Sequence, residues 1–425
     1  MSILKVEANR AVSGMPSIES QHAAVAHWPT RDDCLQVAGM PLTRIAERIG
    51  HTPFYVYDRH RVEARIAGLR EHLPNRVELH YAVKANPMPA LVDFIAPRVD
   101  GLDVASAGEL AVALDAGMDP ANISFAGPGK HESELRQAIA AGVLLNVESA
   151  REVALLARLS KVLQLPARVA VRVNPDFELK SSGMKMGGGA KQFGVDAEAV
   201  PDLLREIGRL GLAFEGFHIF SGSQNLSATS ICEAQQKAVE LAIRLASDAP
   251  LPVRVVNVGG GFGIPYFPRE TPLDLGPIGA NLRELVDRAR TRLPDVRLVI
   301  ELGRYVVGEA GLYVARVIDR KVSRGQVFLV TDGGLHHHLA ASGNFGQVLR
   351  KNYPVVIGNK VVGNARETAS IVGPLCTPLD LLADRMDLAV AEPGDLVAVL
   401  QSGAYGASAS PRKFLSHPDV VEMLA

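Results

Sequence analysis

The sequence predicts an α/β fold, a (β/α)8 TIM-type barrel with a second, mostly antiparallel β domain. Three observations predict it. Eight short apolar runs follow one another from about residue 79, each separated from the next by a segment with helical apolar spacing. The runs are apolar on both faces, as in a parallel sheet covered by helices, and eight such strands close most economically into a barrel. After about residue 303 the pattern changes to β-rich pieces divided by Gly, Pro and Asn. An open doubly wound sheet is the competing arrangement for the first part.

The strand candidates, in order, are LHYAVK, GLDVAS, ISFAG, VLLNVE, RVAVRVN, FEGFHIF, RVVNVGGG and RLVIELGR. Between them PALVDFIAP, AGELAVALDAG, HESELRQAIAAG, AREVALLARLSKV, EAVPDLLREIGRL, ICEAQQKAVELAIRLASD and IGANLRELVDRARTRL combine helical spacing with good helix formers. GLYVARVIDRKV, QVFLVTDGG, YPVVIGNK and DLVAVLQSG are the strands of the second domain. The expected division is a barrel over residues 51–302 and a β domain made of 1–50 with 303–425. One long Gly-rich loop, residues 174–196, interrupts the barrel. Loops of that length are commonly lids or binding loops, and a solvated excursion is the plainer reading.

With 425 residues, 47% hydrophobic and 21% charged, the chain can bury a large core. A formal net charge of -1 gives no basic field for nucleic acid, and no apolar run is long enough to cross a bilayer. The N-terminus lacks the pattern of a signal peptide, and three cysteines, Cys34, Cys232 and Cys376, form no disulfide framework. A cytoplasmic enzyme of small molecules is expected.

Chemistry enters at HYAVKAN, where Lys84 closes an apolar run. An unpaired buried charge is costly, so such a lysine either snorkels to solvent or is held for its reactivity. Barrel active sites form at the C-terminal ends of the strands. Lys84 ends the first strand, Asp103 lies in the second, His218 ends the sixth, Gly259, Gly260 and Gly261 follow the seventh, and Glu301 ends the eighth. All would converge. Glycines after strand seven let bare N–H groups approach a phosphate, and Arg304 adds a guanidinium to the same anion. A cofactor that uses a lysine, an acid and an anion site together is pyridoxal phosphate: its aldehyde condenses with the lysine, and the acid keeps its ring nitrogen protonated.

At these residues the chain resembles the barrel-type pyridoxal-phosphate decarboxylases, with the alanine-racemase-like fold, that include diaminopimelate, ornithine and arginine decarboxylases. HYAVKAN, GLDVASAGEL, GFHIF with the following GSQ, NVGGGFG, ELGRY, GPLC and SGAYG carry the resemblance, in the family's order, from about Pro53 to Tyr405. It implies a homodimer with active sites completed across the subunit interface. It also implies that His218 stacks on the pyridine ring, Asp103 supports the lysine region and Glu301 meets the ring nitrogen. Gly261, Arg304 and Tyr405 would hold the phosphate, with Ser223, Gly259 and Gly260 as further cofactor-binding candidates. Cys376 would come from the partner subunit to return a proton to the α-carbon; the plainer reading of a lone cysteine is a small buried hydrophobe.

The pattern departs in three places. Family members acting on free diamino acids place an acid directly after the cysteine to pair with the distal ammonium, where this chain has Thr377. Asp380 and Arg304 remain as substrate-binding candidates. After TDGG the chain reads LHHHLAASGNFG in place of an Arg-Pro and Leu-Tyr pattern, and HIFSGSQ is two residues longer than the family's HIGSQ. In motif the chain is similar to the branch tied to exosortase-associated polysaccharide pathways and to aminoacyl groups on a carrier protein. The expected reaction is α-decarboxylation of an amino acid, with an acylated or carrier-linked substrate and a possible acyl carrier protein partner. A conventional meso-diaminopimelate, ornithine or lysine decarboxylase is the alternative. A racemase would pair the ring nitrogen with arginine, against Glu301, and a non-catalytic homologue would be expected to lose Lys84 or Cys376. Lys180, Lys185 and Lys191 in the long loop could meet an acidic partner, although a solvated basic loop is the plainer reading. His336, His337 and His338, taken as extended, point to alternating sides and suit no single metal ion.

Overall fold

The computed structural model describes residues 23–177, 184, 185, 187–347 and 350–425. Eight parallel strands close on themselves: β1 (Val77–Ala82), β2 (Gly101–Val104), β3 (Ile123–Phe125), β4 (Leu144–Val147), β5 (Arg168–Asn174), β6 (Ala213–His218), β7 (Val255–Gly260) and β8 (Arg297–Leu302). Each pairs with its sequence neighbour, and β8 returns to β1 through Leu298↔Val77 to Leu302↔Tyr81. The closed arrangement replaces the open sheet, and every predicted barrel strand has its counterpart.

Local signals start and stop the intervening helices. Ser106 and Ser149 cap Ala107–Asp115 and Ala150–Leu163, each accepting the N–H of a residue three further on. The apolar helix faces pack on the outside of the strands in one continuous core that includes Leu79, Leu102, Phe125, Val171, Phe217 and Ile300. Inside the barrel a small separate cluster, Leu144, Ala170, Val255 and Val299, is the apolar part of its filling. The remaining interior is polar, and the site is built from it.

The second sheet is organised on Gly311–Ser323. Its first half pairs antiparallel with both Leu396–Val399 and Phe54–Tyr57, its second half with Gln326–Thr331. Two further strands, Arg366–Val372 and Leu381–Ala389, extend it beyond Gln326–Thr331, and Val421–Leu424 runs parallel to Phe54–Tyr57. Trp28, Leu35, Val37, Leu42 and Ile45 pack on Phe54, Leu312, Val314 and Leu396, so the described N-terminal segment covers this sheet. Among the described residues no helix is long and apolar enough to cross a membrane.

Candidate active site

Lys84 lies two residues past the end of the strand that was expected to close on it. β1 stops at Ala82, and Val83–Ala85 form a 3-10 turn. The lysine is not buried in the packed interior: its side chain keeps solvent contact while the walls of the barrel mouth surround it. Asn86 fixes the turn. Its Nδ2 donates to Gly403 O at 3.0 Å, its own carbonyl accepts from Tyr81 OH at 2.9 Å, and Tyr405 N donates to Ala85 O at 2.8 Å. HYAVKAN and SGAYG, far apart in sequence, are thereby one unit.

Strand register brings the other candidates to the same end. His218 is level with Arg172 on one side and Asn257 on the other, Asp103 with Ala82, and Glu301 with Gly260. His218 Nε2 stands 3.1 Å from Glu301 Oε2, close enough for an ion pair but not aligned as a hydrogen bond; Asn257 Nδ2 donates to the same oxygen at 3.1 Å. Burial alone would raise the Glu301 carboxyl, but His218, Lys84 and Arg172 outweigh it and hold the group well below the usual carboxylate range. Lys84 is moved the other way. Desolvation by the surrounding walls of the barrel mouth pulls its pKa down, Glu301 and Tyr405 push it up, and the net shift is upward.

Gly259 and Gly260 are the last residues of β7 rather than its sequel, and Gly261 follows. Gly259 and Gly261 both have φ of 73°, a region costing other residues roughly 1–2 kcal/mol. A Cβ on Gly261 would strike Gly222 O and lie against Ser223, and one on Gly260 would strike Glu301 O. Asn225 N donates to Gly261 O at 2.9 Å and Gly263 N to Asn225 O at 2.8 Å, so the loops after β6 and β7 interlock. Arg304 reaches the same corner: Nη1 donates to Tyr266 OH at 2.7 Å, and the guanidinium stands 4.7 Å from the Tyr405 ring centroid.

The second-domain candidates behave differently. Cys376 is exposed. Thr377 Oγ1 accepts from Leu379 N at 3.3 Å within its own turn. Asp380, expected to meet substrate, is 3% exposed, and its two carboxylate oxygens accept the N–H groups of Leu335 at 2.6 Å and Leu375 at 2.8 Å. Each oxygen accepts one backbone N–H, so Asp380 braces the loops at Leu335 and Leu375. The three histidines occupy a turn, not an extended strand. His336 and His337 lie with ring centroids 3.8 Å apart, and His338 Nε2 meets Ser402 Oγ at 2.9 Å. Burial pushes His336 and His338 down to about 3, so both are neutral packing groups. Lys180 and the Lys185 side chain lie outside the described residues; Lys191 is half-buried.

Several buried polar residues in and around the barrel escaped the sequence reading. Arg172 Nη1 pairs with Glu148 Oε1 at 2.9 Å, and Lys130 Nζ with Glu152 Oε1 at 3.0 Å. Asp103 Oδ1 accepts from Ser124 Oγ at 2.6 Å and faces His80 Nδ1 at 3.3 Å. The signal was present: a charged or imidazole side chain amid an apolar strand, as in RVAVRVN and LHYAVK. A separate cavity of about 420 Å³, lined by Phe267, Tyr353, Val355 and Leu388, contains none of the converging residues.

Residues 59–308 match the family described as pyridoxal-dependent decarboxylase, pyridoxal binding domain. The chain belongs to this family. It is 40% identical over 391 residues to an L-glutamyl-acyl-carrier-protein decarboxylase of Niallia circulans, covering 90% of each chain. It is 32% identical to the diaminopimelate decarboxylase of Aquifex aeolicus, covering 93% of this chain and 91% of that one. The crystal structure of Helicobacter pylori diaminopimelate decarboxylase complexed with L-lysine superposes with a TM-score of 0.79 at 26% identity, covering 90% of this chain and 94% of that one. This decarboxylase is therefore a pyridoxal-phosphate-dependent carboxy-lyase with a barrel and a mostly antiparallel second domain.

The residues fit that cofactor. His218 Nδ1 and Asp103 Oδ2 are buried without a hydrogen-bond partner among the described residues, as groups awaiting a ligand are. At the glycine corner the loops after β6 and β7 pack backbone against backbone beside Ser223, which only glycine at 261 allows, and Arg304 supplies a positive charge held by Tyr266.

Proposed function

We propose that this decarboxylase removes the α-carboxyl group of an amino acid whose distal end is acyl-linked, the carrier being an acyl carrier protein. The observation that carries this reading is Thr377 at the place of an acid, in a chain 40% identical to a carrier-protein glutamyl decarboxylase. A hydroxyl already used in its own turn offers no negative charge to pair with a distal ammonium. A substrate with an uncharged distal end needs none.

Pyridoxal phosphate, when bound, supplies an aldehyde that captures the substrate amine and a ring that takes up the electron pair left by departing carbon dioxide. In this reading Lys84 carries the cofactor at its Nζ. Gly259, Gly260, Gly261, Ser223, Arg304 and Tyr405 hold the phosphate end, and His218 covers the ring. Glu301, kept ionised by His218, Lys84 and Arg172 against its burial, holds the proton of the ring nitrogen in place. Cys376 Sγ of a second copy delivers the proton that replaces the carboxylate. Its exposure on a second-domain loop supports a role across a homodimer interface.

The test is carbon dioxide release from purified, cofactor-loaded protein. Free glutamate, meso-diaminopimelate, lysine and ornithine are compared with glutamyl and related aminoacyl thioesters on a carrier protein. Release from the thioesters with silence on the free set is expected. Comparable turnover of a free diamino acid would overturn the proposal in favour of the conventional alternative.

A further inference from the structure

Below the mouth, barrel charges alternate in sign. Arg297 Nη1 contacts both carboxylate oxygens of Glu78 at 3.0 and 3.1 Å; Glu78 Oε2 lies 3.7 Å from His80 Nε2; His80 Nδ1 lies 3.3 Å from Asp103 Oδ1. Asp103 in turn acts electrostatically on Lys84. The column is built rather than incidental. His80 is 6% exposed, and its ring occupies the place that a Cβ on Gly101 would need, so β2 carries glycine where β1 carries the imidazole. Ser124, backed by Asn146 Nδ2 at 3.1 Å, takes a second position on Asp103 Oδ1. Oδ2 is buried and unpartnered among the described residues.

We infer that His80 is a positioning residue: bonded through Nδ1 to Asp103, with Nε2 facing Glu78 at ion-pair distance and making no hydrogen bond there, it fixes the Asp103 carboxylate so that its second oxygen serves the cofactor-bearing nitrogen of Lys84. Burial would lower the His80 pKa, but Asp103 and Glu78 outweigh it and raise it to about 9, which keeps the ring charged at neutral pH. The groups facing it are Glu78 on its own strand, Asp103 on β2 and, through Glu78, Arg297 on β8. Around Lys84 they are Glu301 on β8, Tyr405, Arg172 on β5 and Asp103. A neutral filler would keep the packing beside Gly101 but would leave Asp103 with Ser124 alone.

The experiment is a double-mutant cycle read as the dissociation constant of pyridoxal phosphate, so it needs no substrate and stands or falls apart from the proposed reaction. His80→Phe keeps a ring of similar volume, His80→Gln keeps a donor without the charge, and each is combined with Asp103→Asn. His80→Phe is expected to weaken cofactor binding about tenfold or more, at roughly 1.4 kcal/mol per factor of ten. His80→Gln should recover part of that loss, and neither should weaken binding further in the Asp103→Asn background. The gap between wild type and His80→Gln should also narrow as pH rises through about 9, where wild type loses the imidazolium charge. Losses that add in the double variants, or wild-type binding by His80→Phe, would overturn the inference. If His80→Phe does not fold, the His80→Gln cycle and its pH series decide it alone.

Discussion

At the barrel mouth one amine stands among Glu301, Tyr405 and Asp103, which favour its charged form, and Arg172, which opposes it. Lys84→Ala removes the amine to which the cofactor aldehyde is proposed to bond. The reconstituted variant should lack the visible absorbance of lysine-bonded pyridoxal phosphate while keeping wild-type circular dichroism; a retained band would remove the assignment. One strand turn below, His80 has a pKa raised from 6.5 to about 9. A raised value means that the folded state holds the proton more tightly, so this stabilisation is complete below about pH 6.5 and is lost as pH rises through about 9. Melting temperatures of the cofactor-free protein between pH 7 and 10 should therefore fall more steeply for wild type than for His80→Gln; parallel curves would deny the linkage. Lys84, Glu301 and His218 were legible because each sits in a dense motif at a strand end. Arg172, Glu148 and His80 were not, because an inward polar side chain in a buried strand resembles a break in an apolar run until its partners on other strands are known. Asp380 is the opposite case: its motif makes it a substrate-binding candidate, and the backbone N–H groups of Leu335 and Leu375 on its two oxygens become visible only in the fold.

Elements join these residues through loops whose backbone leaves no space for a side chain. The loop after β7 crosses that after β6, with Gly261 at φ 73° under Gly222 O. Gly261→Ala has both a left-handed backbone, worth about 1–2 kcal/mol, and a clash against it. Titration with pyridoxal phosphate should show affinity lowered tenfold or more, with the barrel's helical signal unchanged; normal affinity would mean that this corner does not hold the phosphate end. The eight barrel strands were readable because parallel strands covered on both faces need unbroken apolar runs. Arg366–Val372 and Leu381–Ala389 were not singled out. Their sequences, RETASIV and LLADRMDLA, alternate charge with apolar residues on a half-exposed sheet, and only pairing with Gln326–Thr331 and with each other makes them strands. The histidine segment differs from its extended reading because His337 N and His338 N both donate to Gly334 O, closing a local turn that bonds to Tyr55, Ser402 and Pro418 then anchor.

Across the whole molecule, the proposed proton donor and the proposed cofactor lysine belong to different domains. Cys376 is exposed on a loop tied through Asp380 to Leu335 and Leu375, whereas Lys84 is tied through Asn86 and Ala85 to Gly403 and Tyr405. If each site takes Lys84 from one copy and Cys376 from another, Lys84→Ala and Cys376→Ala damage different halves of every site. Each homodimer should then be nearly inactive. Mixed in equal amounts and allowed to exchange, about half the dimers would be heterodimers, each with one site built from two intact halves and one from two damaged halves, which restores roughly a quarter of wild-type activity. The rate of carbon dioxide release from the mixture, against each variant alone at the same total concentration, reads this directly. A mixture as silent as its parents, with subunit exchange verified by mass, would place lysine and cysteine in one chain's site and remove the shared-site arrangement; activity near a quarter of wild type would support it.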